Sequence, residues 1–180
     1  MKIWTAVSNA TIGWWMLLKG DPDWRARFAL GAPGLVTALL IFAFVAFLAV
    51  AAAALNVDQP GIAGLLAAMT VLSLPVLALV ISLVGTRIML KSDAPMLDVL
   101  VPGIYASAAF LPFEGLLAVI GGPIVMLAWL ALGFLLYRLA RAAMHWSAGV
   151  AAAFALLSVL LLVAMRSALY MLSNVTPPSV

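Results

Sequence analysis

The chain alternates between long runs of apolar residues and short segments that carry most of its polar and charged residues. A helix needs about 20 residues to cross the ~30 Å hydrocarbon core of a bilayer, and five runs meet that length or come close to it. These runs cover residues 34–55, 62–84, 97–120, 123–140 and 147–166. They are continuously apolar and lack the alternation of a membrane β-barrel. The pattern therefore predicts an all-α fold, a polytopic membrane bundle of five transmembrane helices within residues 34–172.

The segments between the runs predict chain reversals. Residues 56–61, 91–95 and 121–123 combine proline with polar residues or glycine, which favours turns. The segment 138–146 closes the fourth run with two arginines, the histidine and a tryptophan. The 121–123 turn is short and uncharged, so spans three and four could instead form a re-entrant pair. That alternative leaves both ends of the chain on the same sides as five full spans do.

The first 33 residues form a separate segment before the first run. Residues 3–18 are moderately apolar, but polar residues interrupt them and they are too short to span a bilayer. We expect an amphipathic helix that lies at the cytoplasmic interface, with a signal peptide as the alternative. Tryptophan prefers the headgroup level, so five tryptophans are predicted to be interfacial anchors. They are Trp4, Trp14, Trp15, Trp24 and Trp146.

The composition limits the classes of function. Of the 180 residues, 67% are hydrophobic and 8% are charged, against roughly a quarter charged in an average soluble domain. A soluble fold of this size cannot hide so much apolar surface, which excludes an ordinary soluble enzyme. Without cysteine and with His145 as the single histidine, no zinc, haem or other metal site and no cofactor are expected. The basic residues do not cluster, so no nucleic-acid partner is expected.

The basic residues predict an orientation. For a five-span chain, eight of the nine lysines and arginines fall on one side of the membrane, and Arg166 alone falls on the other. Basic residues accumulate on the cytoplasmic side of membrane proteins. We therefore expect a bacterial inner-membrane protein with a cytoplasmic amino terminus and a short periplasmic tail over residues 173–180.

Glu114 is the first candidate for chemistry, because a carboxylate inside an apolar span is costly unless it is paired or functional. It lies about 25 Å along the third span, in the outer half of the bilayer. Arg166 lies at the outer end of the fifth span, where its side chain could snorkel to reach Glu114. Two interpretations stay open: a structural ion pair, or a site that binds or conducts a proton, a cation or a substrate.

Three positions near the end of the fourth span form a second candidate. Arg138, Arg141 and His145 share the i, i+3, i+7 spacing of one helical face. Such a face could contact anionic lipid headgroups, although ordinary anchoring at the cytoplasmic interface is the simpler interpretation. Asp98 begins the third span close in sequence to Lys91 and Arg87, where it complements the positive end of the helix dipole.

Three prolines lie inside the predicted spans. Pro75, Pro102 and Pro112 are candidate helix kinks, because proline lacks the N–H that an α-helix needs. Kinked spans line cavities in many transporters, where freed carbonyls bind ions or substrate. Proline is also more frequent in membrane helices than in soluble ones, so a purely structural role stays open.

The layout of the chain resembles that of a known family. A cytoplasmic amino-terminal stretch, five packed helices and a short external tail resemble the Yip (Ypt-interacting protein) family and its bacterial relatives. Uncharacterised five-span inner-membrane proteins of proteobacteria are similar, with a stretch before span one like residues 21–34 here. The resemblance implies a binding or membrane-organising role, with the helices as the binding surface. It carries no functional residues over to this chain.

These observations lead to two functional hypotheses. The first is a non-enzymatic inner-membrane protein that serves as a scaffold, an assembly factor or an accessory subunit of a membrane complex. Its partners would be the lipid bilayer and another membrane subunit or further copies of this chain. The alternative is a small transporter or substrate-binding membrane subunit with its site near Glu114. An enzyme is not expected, because no serine-hydrolase, metalloprotease or P-loop motif is present.

Overall fold

A computed structural model describes residues 3–54 and 61–175 of the chain. The described residues form six α-helices and no strand, which confirms the all-α prediction. The helices are α1 (Ile3–Lys19), α2 (Ala32–Ala54), α3 (Ile62–Leu90), α4 (Leu97–Ile120), α5 (Met126–Met144) and α6 (Ala148–Val175). Two short 3₁₀ helices, Pro22–Arg27 and Gly122–Val125, precede α2 and α5.

The helix ends differ from the predicted ends where polar residues stay inside a helix. α3 continues six residues past the predicted end and stops at Lys91, whose left-handed φ of 50° ends the helix. α6 runs beyond Arg166 to Val175, because that arginine is paired inside the bundle rather than marking an exit from it. Part of the predicted 56–61 turn and residues 176–180 of the predicted tail lie outside the described residues.

Helix α4 lies at the centre of the bundle. It packs most extensively against α2 and α5, while α6 packs against α3 and α5. α4 is also the most buried of the long helices. Gly103 permits its close contact with α3, since a Cβ there would lie 2.6 Å from Cδ2 of Leu79. The most central helix is therefore the one that carries Glu114.

The outside of the bundle is apolar. Large exposed apolar side chains lie on every long helix, whereas a soluble monomer rarely exposes apolar patches larger than a few hundred Å². Examples are Phe44, Leu66, Val119, Leu130 and Leu160. α2, α3, α4, α6 and the segment that joins Gly122–Val125 to α5 are each long and apolar enough to cross a membrane. The chain is a multi-pass integral membrane protein.

The starts of α2, α4 and α6 and the ends of α3 and α5 meet at one end of the bundle, called the basic end below. Arg25, in the first 3₁₀ helix, ties this end together. Its Nε lies 3.2 Å from Oδ2 of Asp98 in the first turn of α4, and its Nη2 donates to the Ala143 carbonyl at 2.7 Å. A single side chain thus links the N-terminal segment, α4 and α5.

Helix α1 is present as predicted and packs on the flank of the bundle. Its buried face consists of Ala6, Ala10, Gly13 and Leu17. Gly13 is needed for this packing, because a Cβ there would lie 2.5 Å from the ring of Phe28. Small side chains on one face therefore let α1 approach its neighbours closely. α1 also runs along α4, because Trp14 contacts Pro102 and Val7 lines a cleft with Pro112, about 15 Å further along that helix. Its first half therefore extends along the spans, which differs from the predicted position flat at the cytoplasmic interface.

Candidate functional site

The chain brings Glu114 and Arg166 together, as the sequence predicted for a structural pair. Glu114 lies in the second half of α4, and Arg166 lies in α6. The Arg166 guanidinium donates two hydrogen bonds to the Glu114 carboxylate. Nη1 donates to Oε1, and Nη2 donates to Oε2 at 2.8 Å. This two-pronged geometry is the strongest form of an arginine–carboxylate contact.

A third residue, Trp129 of α5, completes the cluster. Its indole Nε1 donates to Oε1 of Glu114 at 2.7 Å. Both carboxylate oxygens therefore accept hydrogen bonds, and Oε1 accepts two of them. The three residues, called the Glu114 cluster below, join α4, α5 and α6.

The surroundings of the Glu114 cluster are mostly apolar. The side chain of Glu114 is 13% exposed and that of Arg166 is 21% exposed. The Phe110 ring, one turn before Glu114, lies under the guanidinium, with its centroid 5.8 Å from Cζ. Nε of Arg166 is buried and has no hydrogen-bond partner in the described part of the chain. The pair is thus largely shielded from the medium, and one of the shielded guanidinium donors, Nε, makes no hydrogen bond within the described residues.

This arrangement has a clear chemical consequence. The two charges neutralise each other, so neither Glu114 nor Arg166 is left uncompensated inside the spans. A carboxylate that carries protons or binds a cation needs an oxygen free to exchange partners. Both oxygens of Glu114 are held by donors fixed on two other helices. The geometry favours a structural role over a conducting one.

The predicted basic face is divided by the structure. α5 ends at Met144, and His145 takes a left-handed φ of 53°, so His145 leaves the face because the helix has already ended. Nη2 of Arg138 donates to the carbonyls of Leu17 and Leu18 in α1, at 3.3 and 2.8 Å. Nη1 of Arg141 donates to the Trp146 carbonyl at 3.0 Å. Both arginines therefore satisfy carbonyls near helix ends, and contact with lipid headgroups stays a prediction.

The five tryptophans separate into two groups. Trp4 and Trp15 are exposed, and Nζ of Lys19 lies 4.8 Å from the Trp15 ring centroid, while their placement among the headgroups stays a prediction. The other three are engaged within the protein. Nε1 of Trp14 donates to the Pro102 carbonyl at 3.2 Å.

Trp24 and Trp146 differ from the prediction, because both are buried inside the protein. Each packs edge-to-face on a phenylalanine, Trp24 on Phe28 and Trp146 on Phe154. Buried rings cannot sit among lipid headgroups. These two tryptophans act as core residues at the basic end.

The three prolines lie inside helices, as predicted. Pro75 is in α3, and Pro102 and Pro112 are in α4. Pro75 and Pro102 are buried, whereas Pro112 is exposed and lines a cleft beside α1. The helices continue through all three positions, and none of the prolines contributes to the Glu114 cluster.

Sequence reasoning missed Trp129, although a signal for it exists. Glu114 and Trp129 lie about seven residues before and after the turn at 121–123. In an antiparallel hairpin, residues equally far from the turn lie at the same level. The same counting across the α5–α6 turn brings Arg166 close to that level. Helix register alone could therefore have indicated all three members.

Sequence reasoning also missed the partner of Asp98. The nearest cations in sequence are Lys91 and Arg87, yet the partner is Arg25, far earlier in the chain.

In the described ranges, no three His, Asp or Glu side chains lie close enough together to hold a metal ion. Comparisons with protein-family models, with curated proteins and with solved structures find no match for this chain.

Proposed function

We propose that this protein is a non-enzymatic component of a bacterial inner membrane that acts as a scaffold, an assembly factor or an accessory subunit of a membrane complex. One observation carries the proposal. Glu114, the carboxylate placed deepest in the spans, is held by Arg166 and Trp129 on two other helices. Both carboxylate oxygens of Glu114 accept hydrogen bonds that join three helices, so this residue stabilises the bundle.

The outer surface supports the same proposal. Such a protein must present its helices to partners, and every long helix carries exposed large apolar side chains. In a membrane, helices associate through close packing rather than through release of water. A rigid bundle with an apolar exterior suits contacts with another membrane subunit or with further copies of this chain.

The orientation is part of the proposal. The basic end carries Arg25, Arg87, Lys91 and Arg138, and cytoplasmic ends of membrane proteins are enriched in such residues. We place this end in the cytoplasm, with the carboxyl terminus in the periplasm. The likeness of the layout to the Yip family stays a prediction.

A small transporter with its site near Glu114 is the second candidate. One observation favours it: Nε of Arg166 is buried without a partner and could bind an anionic group of a substrate. In that case the ion pair would open during transport. The two candidates predict different results for Glu114→Gln. A transport site would lose flux and keep its stability, whereas a structural pair would lose stability.

The test uses purified protein in vesicles that enclose a pH-sensitive dye. The proposal expects no proton flux above that of empty vesicles for the wild type, together with a lower unfolding midpoint for Glu114→Gln. Asp93→Asn is the matched control, because Asp93 is exposed at the basic end and forms no ion pair among the described residues. A wild-type flux that Glu114→Gln abolishes while stability is kept would refute the scaffold proposal.

A further inference from the structure

Two neighbouring pockets follow the seam where α1 packs against α2, α4 and α5. The first is an apolar cleft with a volume of about 390 Å³. Its walls include Val7, Ala10, Trp14, Ile41, Ala109 and Leu135, from four different helices. Small side chains on α1 and α4 keep this space open. An apolar cavity of even about 150 Å³ stays dry and takes up apolar molecules.

The second pocket, at the basic end of the seam, has a volume of about 310 Å³ and is lined in part by Arg138 and Arg141. Each arginine uses one terminal nitrogen to bind backbone carbonyls, which fixes its position and leaves other N–H donors available. The ion pairs found in the described part of the chain involve Arg25 and Arg166. Within residues 3–54 and 61–175, the two cations of this basic pocket therefore form no ion pair with a carboxylate.

The two pockets lie in line along the same helices. Leu135 of the cleft and Arg138 of the basic pocket are one turn apart on one face of α5, about 5 Å along the axis. Trp14 and Leu17 are related in the same way on α1. A fixed positive pocket thus adjoins an apolar cleft on the flank of a membrane protein.

We propose that this seam binds an anionic phospholipid, with the phosphate on Arg138 and Arg141 and one acyl chain in the apolar cleft. Charge complementarity selects the headgroup, since two arginines without carboxylate partners attract an anion at the level where headgroups lie. The cleft selects a lipid over free phosphate, because only a lipid fills both spaces. The lipid would hold α1 against α5 from outside, in addition to the bonds that Arg138 makes.

Binding is tested with the detergent-solubilised protein by native mass spectrometry, titrating phosphatidylglycerol against phosphatidylcholine. Two arginines are expected to favour phosphatidylglycerol by about 25-fold, about fivefold for each. Arg141→Gln should reduce this preference about fivefold. Arg27→Gln is the matched control, because Arg27 is exposed at the same end and lines neither pocket, and it should keep the preference.

A second variant tests the acyl-chain half without touching the arginines. Ala109→Phe fills the cleft and should weaken phosphatidylglycerol binding, whereas Ala118→Phe, on an exposed position of α4 outside the cleft, should not. Equal binding of the two lipids by the wild type would overturn the proposal. Complete displacement of the lipid by inorganic phosphate, with no effect of Ala109→Phe, would also overturn it and would indicate a free-phosphate site.

Discussion

The ion pair between Glu114 and Arg166 makes a quantitative prediction for a double-mutant cycle. The three variants are Glu114→Gln, Arg166→Gln and the double substitution. Glu114→Gln keeps an acceptor for Trp129 but leaves the guanidinium without its counter-charge. Removing one partner of a buried pair costs roughly 3–5 kcal/mol. The two side chains are 13% and 21% exposed, so we expect the lower end, about 3 kcal/mol for each single variant.

The coupling between the two charges is the informative quantity. At about 4 Å and an effective dielectric constant of about 20, the Coulomb attraction is ~4 kcal/mol. Partial exposure of the two side chains screens this attraction further, so we expect a coupling of about 2 kcal/mol. The double variant should therefore lose about 2 kcal/mol less than the two single losses combined.

Equilibrium unfolding in mixed micelles, titrated with a denaturing detergent and followed by circular dichroism, measures the four free energies. The control cycle combines Arg166→Gln with Asp93→Asn, which lies at the opposite end of the bundle and should be additive. A coupling between Glu114 and Arg166 below about 0.5 kcal/mol would contradict this prediction, because it would mean that the pair does not stabilise the bundle.

Three further predictions follow from other contacts. Trp129→Phe removes the indole hydrogen bond to a charged oxygen of Glu114. It should lower the free energy of unfolding, measured by the same titration, by about 1.5 kcal/mol. No change would show that this hydrogen bond does not contribute to stability. Gly34→Ala should lower the free energy of unfolding by about 3 kcal/mol, because a Cβ there would overlap the Ala29 carbonyl. Gly115→Ala is the control, since a Cβ there meets open space, and it should stay within about 0.5 kcal/mol of the wild type. Similar losses for both variants would argue against the packing of Ala29 on α2. A reporter joined to the carboxyl terminus should be active when it is a periplasmic enzyme and inactive when it is a cytoplasmic one, and the reverse result would refute the proposed orientation.

The spans were predictable because their signal is local. A run of about 20 apolar residues has few alternatives in a chain of this composition, and α4 begins and ends where its run does. The extension of α6 beyond Arg166 was not predictable from the run alone. It depends on Glu114, a distant residue that neutralises the arginine within the bundle.

The site was predictable only in part. Glu114 and Arg166 were identified as partners because an unpaired charge inside a span is costly and because the helix rise places both in the outer half of the bilayer. Trp129 required the register of the α4–α5 hairpin, and the burial of Trp24 required the contact of its 3₁₀ helix with α1. Such contacts arise from tertiary packing, which no local pattern in the sequence specifies.

The proposed role of this bundle is that of a structural partner in a membrane assembly. Mild solubilisation of membranes, followed by native electrophoresis and mass spectrometry of the bands, tests it most directly. We expect the chain to migrate with a defined larger complex, or as a defined oligomer, that is absent from cells lacking it and restored by the wild type. Migration only as a monomer, together with solute or proton flux from the purified chain, would contradict the claim.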